Sequence, residues 1–137
     1  MTYLVTDTGF GPDDLGQIFT PLSDLSDKTT AVDIPSDTDL DQVLLDFATL
    51  TAIRIDFPSF SDGRGFTLAR LLRLRGFTGR LRAKGHVISD QYAMARRSGF
   101  DEVEIEQELA ARQPETEWVF RANWQNHDYQ SRMRKSA

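Results

Sequence analysis

Apolar and charged residues alternate strictly in three short runs of this chain. They are Ile53-Arg54-Ile55-Asp56-Phe57, Arg80-Leu81-Arg82-Ala83-Lys84 and Glu102-Val103-Glu104-Ile105-Glu106. Side chains of an extended strand point alternately to the two faces of a sheet. A period of two therefore predicts three strands, each with an apolar face and a charged face. The middle strand is cationic and its neighbours carry acids. Between these runs the period changes to that of a helix. Residues 59–65 read as a loop after Pro58, followed by a helix over about residues 66–75 with Phe66, Ala69 and Leu72 as its buried stripe, widened by Leu68 and Leu71. A second helix is predicted over about residues 89–98. Gly76 and Gly99 stand where helix terminators belong.

The remaining segments are patterned less sharply. Tyr3-Leu4-Val5 and residues 31–34 read as short strands, the latter ended by Pro35. The rest of residues 1–30 reads as acidic, weakly patterned loop with one helical turn near residues 15–19. Ser36-Asp37-Thr38-Asp39 supplies helix-capping residues. Leu40, Val43, Leu44 and Phe47 then follow at the spacing of one helical face, which predicts an amphipathic helix with acids in its first turn. Residues 109–112 predict a short helix, and residues 117–121, with Trp118 and Phe120 on one parity, a last strand. The tail over residues 126–137 is polar and basic and is expected to fray.

An internal echo supports repeated units. Arg75-Gly76-Phe77-Thr78-Gly79-Arg80-Leu81-Arg82 aligns with Ser98-Gly99-Phe100-Asp101-Glu102-Val103-Glu104-Ile105, each a helix stop, a phenylalanine and an alternating strand. Strand–helix units of this length predict a single α/β domain over residues 1–137 with a parallel sheet of about four to five strands. Sheets covered by helices on both faces have continuously apolar strands, whereas these alternate. The expected architecture is therefore half-barrel-like, with helices mainly on one face. A flavodoxin-like open sheet is the alternative. An uncovered charged face and open edges would favour a second copy of the chain, so a homo-oligomer is expected.

Composition narrows the classes. At 137 residues, 39% hydrophobic and 27% charged, the chain is long enough to bury a core and too polar for a membrane protein; no apolar run approaches a span. Its first residues lack the basic and apolar regions of a secretory leader, and there are no cysteines, so a cytoplasmic protein is expected. Without cysteine there is no disulfide, thiolate nucleophile or cysteine-bound metal centre. The net charge of −5 is unevenly spread. Residues 1–50 hold ten aspartates against Lys28 alone, and the remainder holds eleven acids and fifteen bases. An acidic segment folded over its own basic half is the simplest consequence, and an acidic arm for a partner is the other. The bases are interspersed with acids rather than clustered, which argues against nucleic acid.

Ligands of parallel α/β sheets bind beyond the carboxyl ends of the strands. Asp56, Lys84 and Glu106 lie there and are the catalytic candidates, as groups whose mutual charge tunes proton transfer. An interior salt-bridge lattice explains the same pattern. Asp62-Gly63-Arg64-Gly65, with two glycines, a cation and a following helix, suits a small anion such as phosphate or sulfate. A tight turn with Arg64 paired to an acid is the competing reading. Arg82 and His86 complete the ligand-binding candidates. No spacing specifies a metal site, and no cofactor is expected. Trp118, Phe120 and Trp124 read as packing residues.

The run Asp56-Phe57-Pro58, Asp62-Gly63-Arg64-Gly65, Ala69-Arg70-Leu71-Leu72-Arg73, Gly76-Phe77-Thr78-Gly79, Leu81-Arg82-Ala83, Gly85, Asp90-Gln91 and Arg97-Ser98-Gly99-Phe100-Asp101 resembles a proteobacterial family of unknown function labelled as oxidoreductases of sulfite reduction. Ser98 stands where that family commonly has cysteine. Lys84 and His86 stand where it has an apolar and an acidic or amide residue. The resemblance implies an accessory role beside assimilatory sulfite reductase in cysteine biosynthesis, without a redox centre in this chain. Sulfite reductase or another sulfur-assimilation protein is the partner it implies.

Overall fold

The computed structural model describes residues 2–122, so the tail expected from residue 126 and Trp124 lie outside the described residues. Seven strands form one sheet: β1 (Thr2–Thr6), β2 (Gly9–Gly11), β3 (Thr20–Pro21), β4 (Ala31–Ile34), β5 (Ala52–Phe57), β6 (Arg80–Gly85) and β7 (Glu102–Glu106). Their spatial order is β2-β1-β7-β6-β5-β4-β3. The strands β3 to β7 are parallel and adjacent in sequence order, without the reversal of a doubly wound sheet. The β1–β2 hairpin closes the far side antiparallel to β7. The sheet is therefore mixed and larger than the four to five strands expected, because Gly9–Gly11 and Thr20–Pro21 carry too little pattern to be read as strands.

Side-chain parity places the core. Val32, Ile34, Ile53, Ile55, Phe57, Leu81, Ala83, Val103 and Ile105 share one face and are buried. Helices α1 (Arg64–Leu74) and α2 (Tyr92–Ser98) cover it, with Phe66 and Phe100 meeting Phe57 at centroid distances of 5.0 and 5.8 Å. Gly76 and Gly99 follow these helices as expected. The connection from β4 to β5 buries Leu40 and Leu50 and packs Phe47 on the same core. The apolar side chains of one parity thus find helices and loops on one side of the sheet, and burial of that parity supplies the main stabilisation.

Three expected elements take another form. Residues 40–47 make a single 3-10 turn, Leu40–Gln42, capped by Asp39, and then run extended. Val43, Leu45 and Phe47 are half-buried there, while Leu44 is 91% exposed. The burial period is two, because Phe47 is drawn onto Phe77 at 5.3 Å. Residues 15–19 form no helical turn. Residues 117–121 are not a strand: α4 (Glu115–Phe120) follows α3 (Gln107–Arg112) after Pro114. Trp118 is fully buried and its Nε1 donates to the Gln113 carbonyl at 2.9 Å, whereas Phe120 is 72% exposed. Two residues apart on a helix they point to opposite sides, which the shared parity of a strand would forbid.

Both edge strands are short. The backbone N–H of Phe10 on edge strand β2 donates to Glu115 Oε2 at 2.8 Å, and β3 is two residues long. No helix among the described residues is long and apolar enough to cross a membrane.

Candidate functional site

The second parity of the strands carries the chemistry. Register pairs Asp33 with Arg54, Arg54 with Arg82, and Arg82 with Glu102, while Asp56 pairs with Lys84 and Lys84 with Glu104. All therefore project from one face. Towards its middle the charges are mutually satisfied. Arg82, with its side chain 1% exposed, donates through Nε to Glu102 at 2.5 Å and through Nη1 to Glu104 at 2.8 Å. Arg54 reaches Glu104 at 3.0 Å and Asp33 at 2.6 Å, and Arg80 pairs with Glu102. No buried side-chain polar atom among the described residues lacks a partner. This is the interior lattice that the alternation allowed, and Arg82 stands at its centre.

The face is roofed by the segment joining β2 to β3, which explains the fate of the acidic N-terminal residues. Asp13 grips Arg82 through both carboxylate oxygens at 2.8 and 3.0 Å, and Asp14 takes Arg80 at 2.5 Å. Phe19, 9% exposed, lies 4.2 Å from the Arg54 guanidinium carbon and 5.2 Å from that of Arg82, a cation–π cap over two arginines. The acidic segment does fold over its own basic strands. Hydrogen bonding to Arg82 lowers the Asp13 pKa to about 2, and burial opposes Arg82's charge less than Asp13, Glu102 and Glu104 favour it, so the arginine pKa is raised. A carboxylate with a depressed pKa stabilises the fold fully above its unfolded value near 4 and loses that effect as pH falls towards 2. Asp13→Asn is accordingly expected to cost about 1 kcal/mol at pH 7, the Asp13 side of the pair being half-exposed. The difference from wild type should begin to narrow near pH 4 and close only as pH falls below about 2 in denaturant titrations. A difference that is constant with pH would show that the ion pair does not hold the roof.

At the carboxyl end of the same face the pattern changes. Lys84 is half-buried and Asp56 exposed, and neither side chain has an ion pair or hydrogen bond among the described residues. They line a cavity of about 600 Å³ beyond the ends of β4, β5 and β6. Pro21, Leu22, Ile34 and Pro35 make its apolar wall, and Ser23 and Asp33 its other polar groups. The third catalytic candidate, Glu106, is not brought there; its register partner is Thr2 on β1.

The Asp62–Gly65 loop is satisfied within itself. Asp62 Oδ1 accepts from the Arg64 backbone N–H at 3.1 Å and from Nε at 3.0 Å, and Oδ2 from Nη2 at 2.8 Å and from the Ser36 hydroxyl at 3.0 Å. Hydrogen bonds from Arg64 hold the Asp62 carboxyl well below the usual range. The chain's own carboxylate thus sits at the first turn of α1, where an external anion would bind. Gly65 is required for packing: a Cβ there would stand 2.4 Å from the Phe57 ring. His86 is exposed and lines a separate hollow on the helix side. The expected ligand set is therefore dispersed, while Asp56 and Lys84 share a cavity. Sequence reasoning missed Ser23 and Asp33 in that cavity and Asp13 and Phe19 in the roof. Only the excess of aspartate ahead of basic strands hinted at the roof.

Residues 31–137 match the model of a family described as "Bacterial protein of unknown function (DUF934)". No curated protein and no solved structure matches the chain.

Proposed function

This chain belongs to that bacterial family of unknown function, and from that premise we propose that it binds a small anionic molecule in the cavity at the carboxyl ends of β4, β5 and β6. The cavity lies at the carboxyl ends of adjacent parallel strands, where ligands of parallel α/β sheets collect. One observation carries the reading. On a face whose other cations Arg54, Arg80 and Arg82 are all ion-paired, Lys84 has no partner among the described residues and faces a mostly apolar cavity. A half-buried ammonium in such a place gains most from a ligand anion. Asp56 beside it accepts a hydrogen bond from a hydroxyl or amine of the ligand. The ligand class is a small acid with an apolar body and a donor group.

The test is thermal denaturation with sulfite, inorganic phosphate and 2-hydroxyisocaproate as probes. At a ligand excess of about tenfold over Kd the expected stabilisation is about 1.4 kcal/mol, a rise of several degrees in Tm. The rise should vanish in Lys84→Met, and Asp56→Asn should reduce it for the hydroxy acid but not for sulfite. No rise with any probe, or a rise that survives Lys84→Met, overturns the site.

We propose in addition an accessory role in assimilatory sulfite reduction, supported by the sequence resemblance. Retention of sulfite reductase by the tagged full chain from its host extract tests it, and its absence from the eluate counts against it.

A further inference from the structure

The helix side of the carboxyl edge holds a second concave site, smaller than the first and different in charge. It has a volume of about 220 Å³ and is lined by Phe60, His86, Ile88, Leu109, Arg112 and Gln113. These residues come from the segments that follow β5, β6 and β7, three adjacent parallel strands. That is where the crossovers of a parallel sheet bring separate loops together. Its lining contains no carboxylate, although the chain as a whole carries a net charge of −5.

Local hydrogen bonds set the polar groups. Gln113 Oε1 accepts from the Ser89 backbone N–H at 2.6 Å. That bond fixes the amide's orientation and leaves its NH2 as a donor without a partner among the described residues. Gln91 bridges the rim, its Oε1 accepting from the Ile88 N–H at 3.0 Å and its Nε2 donating to the Phe60 carbonyl at 2.7 Å. The loop bearing Phe60 is thereby tied to the turn bearing Ile88 before any ligand arrives. The side chains of Arg112 and His86 make no ion pair or hydrogen bond among the described residues. Most other arginines among the described residues, Arg54, Arg82 and Arg121 among them, are paired with acids. A guanidinium, an imidazole and an amide NH2 around an aromatic and two aliphatic side chains form a set of donors over an apolar wall.

We propose that this hollow is a second binding site, specific for a small carboxylate carried on a planar apolar body. Arg112 and the Gln113 amide hold the carboxylate, and Phe60, Ile88 and Leu109 take the body. The volume suits a ligand of single-ring size. The site is independent of Lys84 and of the reading attached to it.

The experiment is a titration of the isotope-labelled full chain with benzoate, followed in amide proton–nitrogen correlation spectra. Saturable shifts are expected at the backbone amides of Phe60 and Ile88 and at the Gln113 side-chain NH2. Arg112→Ala, at an exposed position, should weaken the affinity roughly tenfold or more, and Lys84→Met should leave it unchanged. Inorganic phosphate should bind more weakly, having no body for the apolar wall. Absence of saturable shifts at these groups, or an affinity indifferent to Arg112→Ala, overturns the proposal. Phosphate binding as tight as benzoate overturns the ligand class. Shifts confined to Asp56 and Lys84 would overturn this site while supporting the other cavity.

Discussion

Arg82→Ala is expected to remove about 3 to 5 kcal/mol of folding stability at pH 7, a large part of the roughly 5 to 15 kcal/mol that a domain of this kind possesses. The guanidinium serves Glu102 and Glu104, whose side chains are 3% and 6% exposed, and Asp13 in the roof. Removing it leaves two carboxylates in the interior with only Arg80 and Arg54 at their far sides. A buried carboxylate short of a partner is forced towards its neutral form, which raises its folded pKa. A group with a raised folded pKa is stabilising below its unfolded value and loses that contribution as pH rises through the folded one. The deficit of Arg82→Ala against wild type is therefore largest at neutral pH and shrinks as pH falls towards the ordinary glutamate value near 4.3. Urea unfolding across that range measures it. A deficit below about 1 kcal/mol at pH 7, the scale of an exposed pair, would show that Arg82 does not hold the lattice.

Gly85→Ala is the second large effect, at about 2 to 4 kcal/mol, from a left-handed backbone and an overpacked neighbour together. Gly85 has φ +112°, and a Cβ there would stand 2.6 Å from the backbone oxygen of Phe57. That oxygen also accepts the N–H of His86 at 2.9 Å, so the backbone cannot retreat without breaking a bond between β5 and the end of β6. Gly76 is the internal control. It has φ +101° with nothing within 4 Å, so Gly76→Ala carries the conformational cost of about 1 kcal/mol alone. Chemical denaturation of both variants separates the two terms. Equal losses would show that the close approach at Phe57 is relieved freely. Gly85 stands between Lys84 and His86, so its replacement should also weaken ligands at both cavities.

The strands were legible because their information is local. Alternation at residues 53–57, 80–84 and 102–106 places Arg54, Arg82 and Glu104 on one face whatever the rest of the chain does, and the register bears that out. The Asp62–Gly65 loop shows where local reading reaches its limit. Two glycines, a cation and a helix start fit an anion cradle and a self-paired turn equally, and only the position of the Asp62 carboxylate against Arg64 separates them. Trp118 and Phe120 failed for a related reason. A spacing of two fits a strand, but the burial of one and the exposure of the other belong to a helix.

Unaided, the sequence determined the alternating strands, the two main helices with their glycine stops, and the opposition between an acidic first third and a basic remainder. The tertiary structure alone decided which acid meets which base. Asp13 and Arg82 lie 69 residues apart, and no short-range pattern encodes a contact made only when five parallel strands have stacked and a loop has crossed them. The same holds for the two cavities. Lys84 and His86 are near neighbours in the chain, yet the edge of the sheet separates them, one against Asp56 and Leu22, the other against Arg112 and Phe60. Parity is a property of one strand, whereas an unpaired charge is a property of everything packed around it.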